Sequence, residues 1–158
     1  MQKPHTLRIL ILFLMVEAAV QLQAQPHWAY SLGGVGNDHV ADIQVDAAGN
    51  LYITGEFSGA ITFGGQGFQS QGGLDLFVAK LDADGGLLWF RRGGGYGIDR
   101  GVKLALDGSG NLAVVGEFMG TADVLGSTLQ SSGGTADMFI AKLEAATGNT
   151  IWVKQGGG

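Results

Sequence analysis

The chain has 158 residues, a formal charge of −5, 29 glycines, 2 prolines and no cysteine. The missing cysteines exclude a disulfide framework, a thiolate metal site and a cysteine nucleophile, and the acidic balance speaks against a nucleic-acid binder, which carries a basic stripe. Glycine far exceeds its usual share of about 7%, but the scarcity of proline and the lack of a Gly-X-Y period exclude collagen.

Residues 1–24 read as a secretory signal peptide. Lys3 and Arg8 open it with no acid between them, an apolar run at 9–16 follows, and small residues lead to an exit after Ala24. A spanning helix needs about 20 mostly apolar residues, and Glu17 interrupts this run early. Losing Lys3, Arg8 and Glu17 takes the charge from −5 to −6 and leaves all 29 glycines in place. The expectation is an exported chain, secreted or held at the cell surface, with no membrane span after cleavage.

Beyond Ala24 the apolar period is two, and no segment has a helical period. Ala41, Ile43 and Val45 alternate with Asp42 and Gln44, which predicts a half-buried strand. Residues 51–54 form the next strand, joined by the turn Asp46-Ala47-Ala48-Gly49-Asn50. Aspartate bonds the turn backbone, and glycine supplies a positive φ. Gly64-Gly65 splits two short apolar stretches within 60–71, which predicts a small extra hairpin. Residues 75–81 and 87–91 are the third and fourth strands, separated by the tight turn at 82–86.

The same order is then written again. Positions 33–59 match 94–120 at twelve places with an offset of 61. The string Asp75-Leu76-Phe77-Val78-Ala79-Lys80-Leu81 returns as Asp137-Met138-Phe139-Ile140-Ala141-Lys142-Leu143 at offset 62, and Trp89 returns as Trp152 at offset 63. The organisation predicted is a leader at 1–24 and two repeats at about 33–93 and 94–158. The last strand of a prior unit precedes them at 27–32.

GGxGxD, then D-x-x-GNL-x-x-x-GEF, D-x-F-x-AKL and a late tryptophan before Gly-Gly resemble the bacterial secreted beta-propeller repeat (SBBP). The resemblance implies an all-β fold of propeller-type blades, each of four antiparallel strands. About two blades make an incomplete propeller, because closed rings have about 4 to 8. The function it implies is a non-catalytic structural or binding module of an exported bacterial surface protein. The chain is then a fragment of a longer propeller, or a lectin-like propeller closed by self-association, or the non-catalytic piece of a polysaccharide-acting enzyme. The partner expected is a glycan or a surface protein.

No residue constellation points to catalysis, a cofactor or a metal. Asp82-x-Asp84-Gly85 resembles the start of a calcium loop, but its second copy, Glu144-Ala145-Ala146-Thr147-Gly148, loses the second acid. Asp46 and Asp107 read as turn formers, and Asp38 and Asp99 as carboxylates bonding a glycine connector. Glu56 and Glu117 repeat in register; paired carboxylates cleave glycosides only when they face each other across a substrate. His5, His27 and His39 lie at no metal spacing. Gly33-Gly34-Val35-Gly36 is followed by no helix to hold a phosphate. Trp28, Trp89 and Trp152 read as packing between units. Lys80, Lys142, Arg91 and Arg92 form no basic patch.

Overall fold

The computed structural model describes residue 31 and residues 33–157. The leader at 1–24 and, apart from residue 31, the strand expected at 27–32 lie outside the described residues, and with them His5, His27 and Trp28. The described chain is all-β: β1 (Gly33–Gly34), β2 (Asp38–Val45), β3 (Leu51–Phe57), β4 (Ala60–Phe63), β5 (Gln66–Gln69), β6 (Asp75–Leu81) and β7 (Leu87–Gly95). The order then repeats as β8 (Arg100–Leu106), β9 (Asn111–Met119), β10 (Thr121–Val124), β11 (Ser127–Gln130), β12 (Ala136–Glu144) and β13 (Thr150–Gly156).

The hairpin turns follow from local chemistry. Asp46 Oδ1 accepts from the backbone N–H groups of Ala48 and Asn50, and Asp107 Oδ1 accepts from those of Ser109 and Asn111. Gly49 and Gly110 close these loops at φ 84° and 80°. Each carboxylate thus takes two donors that the turn would otherwise leave to solvent.

The strands do not assemble as separate radial blades of four. They form three open sheets: β1-β4-β5, the six-stranded β11-β10-β7-β6-β3-β2, and the four-stranded β13-β12-β9-β8. The propeller-type architecture expected from the repeat is therefore corrected, while its all-β character stands. The reason lies in the hairpin of the second repeat. β10 pairs with Gly94-Gly95 at the start of its own repeat, Ala122 opposite Gly95 and Asp123 opposite Gly94, but that segment is continuous with β7, so the hairpin joins the sheet of the first repeat. A Cβ on Gly95 would sit 2.2 Å from the Thr121 carbonyl oxygen, so only glycine admits the pairing. The matching hairpin of the first repeat, β4-β5, makes the equivalent pairing with Gly33-Gly34 of β1.

Two apolar interfaces hold the layers together. On one face of the six-stranded sheet, Phe57, Phe77, Ala79 and Phe90 pack under Ile61, Phe63 and Phe68 of β4-β5. Phe68 stacks on Phe90 with ring centroids 3.9 Å apart. On the other face, Tyr52, Leu76, Val78 and Trp89 meet Val114, Phe118, Phe139, Ala141 and Leu143 of the four-stranded sheet. Buried carbon area is the main source of stability in such sheet-on-sheet packing. The middle of the six-stranded sheet is covered on both sides, where every residue of β6 is buried, while β2 at its edge stays largely open.

Candidate interaction surface

The acids singled out in the sequence are mostly engaged in holding the backbone. Asp82 Oδ1 accepts from the N–H groups of Asp84 and Gly86, which makes the calcium-like string a hairpin turn. Asp38 Oδ2 accepts from Gly34 N–H, and Asp99 Oδ2 from Gly95 N–H, each at 2.8 Å. Asp99 Oδ1 also accepts from Met119 N–H. Among the described residues no group of three or more His, Cys, Asp and Glu side chains is placed to hold a metal ion.

Asp75 and Asp99 are fully buried. Burial is the main cause that pushes both carboxyls above their ordinary value of 3.8. Arg92 and the Gln71 N–H oppose the rise at Asp75, and the nearby Asp99 adds to it. Arg92 Nη1 lies 3.3 Å from Asp75 Oδ2, while Asp75 Oδ1 is buried with no hydrogen-bond partner among the described residues.

Glu56 and Glu117 are brought together by the cation between them. Arg100 Nη1 lies 2.8 Å from Glu117 Oε1, and Arg100 Nε lies 3.5 Å from Glu56 Oε1. His39 Nδ1 is 3.5 Å from the same Glu56 oxygen. This ladder crosses from one repeat to the next. Trp89 lies in the interface and donates its Nε1–H to the Ala145 carbonyl at 3.2 Å, whereas Trp152 is exposed. Lys80 Nζ sits 4.9 Å from the centroid of the Tyr52 ring, and Lys142 Nζ pairs with Asp107 at 3.0 Å. Arg91 donates to the Thr147 and Gly148 carbonyls.

The surface that the sequence reading missed is the outer face of the four-stranded sheet. Val102, Val115, Met138 and Ile140 stand on it, Met138 at 66% exposure. With Glu117 and Gln155 they line a groove of about 550 Å³. In β12 burial alternates along the strand, and the exposed members include Met138 and Ile140. Their counterparts in β6, Leu76 and Val78, are 0% exposed. An exposed apolar patch of this kind marks a contact surface or an aggregation hazard. The signal in the sequence was that β12 is apolar at both alternations, which a strand with one wet face does not require.

No protein family matches the chain, and no curated protein does. The resemblance to the secreted beta-propeller repeat is corrected on this finding and on the open sheets. With it fall the readings that rested on a propeller: structural or binding module of an exported bacterial surface propeller, fragment of a longer ring, lectin-like ring and non-catalytic piece of a polysaccharide-acting enzyme. The internal duplication of the sequence does not depend on that family.

Proposed function

We propose that this chain is a non-catalytic protein-interaction module that engages a partner through the outer face of its four-stranded sheet. The observation that carries the proposal is the row Val102, Val115, Met138 and Ile140, apolar and open, beside positions whose counterparts are covered. Burying such a row removes apolar area from water at about 25 cal/mol per Å². Support for the non-catalytic reading comes from the occupation of the repeated acids: Glu56 and Glu117 share Arg100, and Asp46, Asp82 and Asp107 hold turns. We also propose export through the leader at 1–24; Edman sequencing of the mature protein should then begin at Gln25, and a start at Met1 would refute it.

The interaction is tested by placing a photo-crosslinking amino acid at position 140 in the producing cell, with exposed Thr128 as the control. Discrete adducts at 140 and none at 128 are expected. A clean, folded chain with no adduct at 140 would overturn the reading.

A further inference from the structure

We propose that the partner of this outer face is a second copy of the chain, docked through the exposed edge of its first repeat, so that copies associate head to tail. This rests on the interaction reading above and names its partner.

The molecule already contains one such interface, between its own repeats. There the first repeat offers Leu76, Val78 and Trp89, and the second answers with Leu104 and Val114 from the opposite kind of face. The repeat offsets place Met138, Ile140 and Trp152 at the positions of Leu76, Val78 and Trp89. They also place Ile43 and Val45 at the positions of Leu104 and Leu106. Leu104 is 5% exposed inside the molecule, whereas Ile43 is 49% and Val45 59% exposed. The outer half is thus present a second time and open; of the head, Ile43 and Val45 on the β2 edge are open, whereas Ile53, the counterpart of Val114, is buried under β4-β5.

The strand registers agree. Across the first repeat one row runs Asp42, Thr54, Val78, Arg91. Across the second, the matching row runs Lys103, Val115, Ile140, Lys154. The outer face of the second repeat therefore keeps the strand register of the covered face of the first.

Charge does not oppose the contact. Inside the molecule Asp42 faces Lys103, with Asp42 Oδ2 accepting from Leu104 N–H at 2.9 Å and Lys103 Nζ 3.5 Å from Oδ1. Between copies the same two positions carry Lys103 and Asp42, opposite in sign, each already paired with the other inside its own chain. Glu56 faces Arg100 inside; between copies the equivalent positions are Glu117 and His39, which inside the chain already pair with Arg100 and Glu56. One position argues for a looser fit. Gly101 lies so close to Thr54 that a Cβ there would come within 1.9 Å of Oγ1, and the corresponding residues between copies are Val40 and Val115. The two sheets must stand further apart at that edge than the internal pair does.

A head-to-tail contact is heterologous, using different surfaces on the two partners, and this gives a decisive test. Ile140→Lys blocks only the outer face, and Ile43→Lys blocks only the head. Both residues are substantially exposed, so each variant should keep the wild-type unfolding midpoint. Sedimentation velocity should show the wild-type chain gaining mass with concentration and each variant alone staying monomeric. A mixture of the two should form a 1:1 pair and nothing larger. Association of either variant alone, or a wild-type chain that stays monomeric at millimolar concentration, would overturn the proposal. Adducts at position 140 with a different protein would also overturn it while leaving the interaction reading intact.

Discussion

Leu76 and Met138 occupy the same place in the two repeats, and their truncation reads out the layer structure directly. Leu76 is 0% exposed, between the six-stranded and four-stranded sheets; Met138 is 66% exposed on the outer face. Leu76→Ala removes about three methylene equivalents at about 0.8 kcal/mol each, roughly 2.4 kcal/mol of transfer energy. The cavity left under Val114 and Phe139 adds to this, for a total of about 3 to 4 kcal/mol. Met138→Ala loses only the fraction of its side chain that is covered, about 0.5 to 1 kcal/mol. Both changes lose similar strand propensity, so that cost cancels in the comparison. Urea unfolding below the association range measures the difference. With a slope of about 1.5 kcal/mol per M, the Leu76 variant should unfold about 2 M earlier than wild type and the Met138 variant within about 0.7 M. Equal shifts for the two variants would mean that β6 and β12 are equally covered, and the layer order would be wrong.

Asp75 and Asp99 bind protons more tightly in the folded chain than in an unfolded one, where aspartate titrates near 3.8. Stability should therefore fall as pH rises from about 4 through their raised values and then level off. Asp42 and Asp46 are shifted down by their hydrogen bonds, so their contribution is lost as pH drops below 3.8. Denaturation midpoints at pH 4, 5, 6 and 7 should decline for wild type and decline less for Asp75→Asn; a flat wild-type profile would refute the assignment. Gly148 has φ 70°, and a Cβ there would approach Trp89 Cδ2 to 2.8 Å. Gly148→Ala should cost about 2 to 4 kcal/mol, against about 1 kcal/mol for Gly133→Ala, where φ is 64° and nothing lies within 4 Å. Calorimetric melting temperatures of the two variants would show the gap. Val40→Gly should tighten head-to-tail association several-fold by removing the obstruction opposite Val115, and an unchanged dissociation constant would place the contact elsewhere.

Much of the local structure was legible. Alternation marked β2, β3, β6 and β7 and their copies β8, β9, β12 and β13, because a strand with a preferred face must repeat every two residues. Gly64-Gly65 marked the β4-β5 hairpin, and the aspartates of the turns announced their own backbone bonds. Sheet membership was not legible. β10 and β4 occupy equivalent positions in the two repeats, and each pairs with a Gly-Gly segment. Only the folded chain shows that this segment ends β7 in one case and, among the described residues, stands alone as β1 in the other. The candidate surface was hidden for a related reason. Val78 and Ile140 look alike in sequence, and their difference is what covers them.

What the sequence determined by itself is the all-β chain, its turns and its internal duplication, since these rest on period, backbone bonding and glycine geometry within a few residues. The tertiary structure decided which faces are wet. Asp75-Leu76-Phe77-Val78-Ala79-Lys80-Leu81 is buried throughout, while its near copy Asp137-Met138-Phe139-Ile140-Ala141-Lys142-Leu143 leaves Met138 and Ile140 open. Burial is a relation between layers, and two almost identical strands differ in it because one has a neighbour on each side and the other on one.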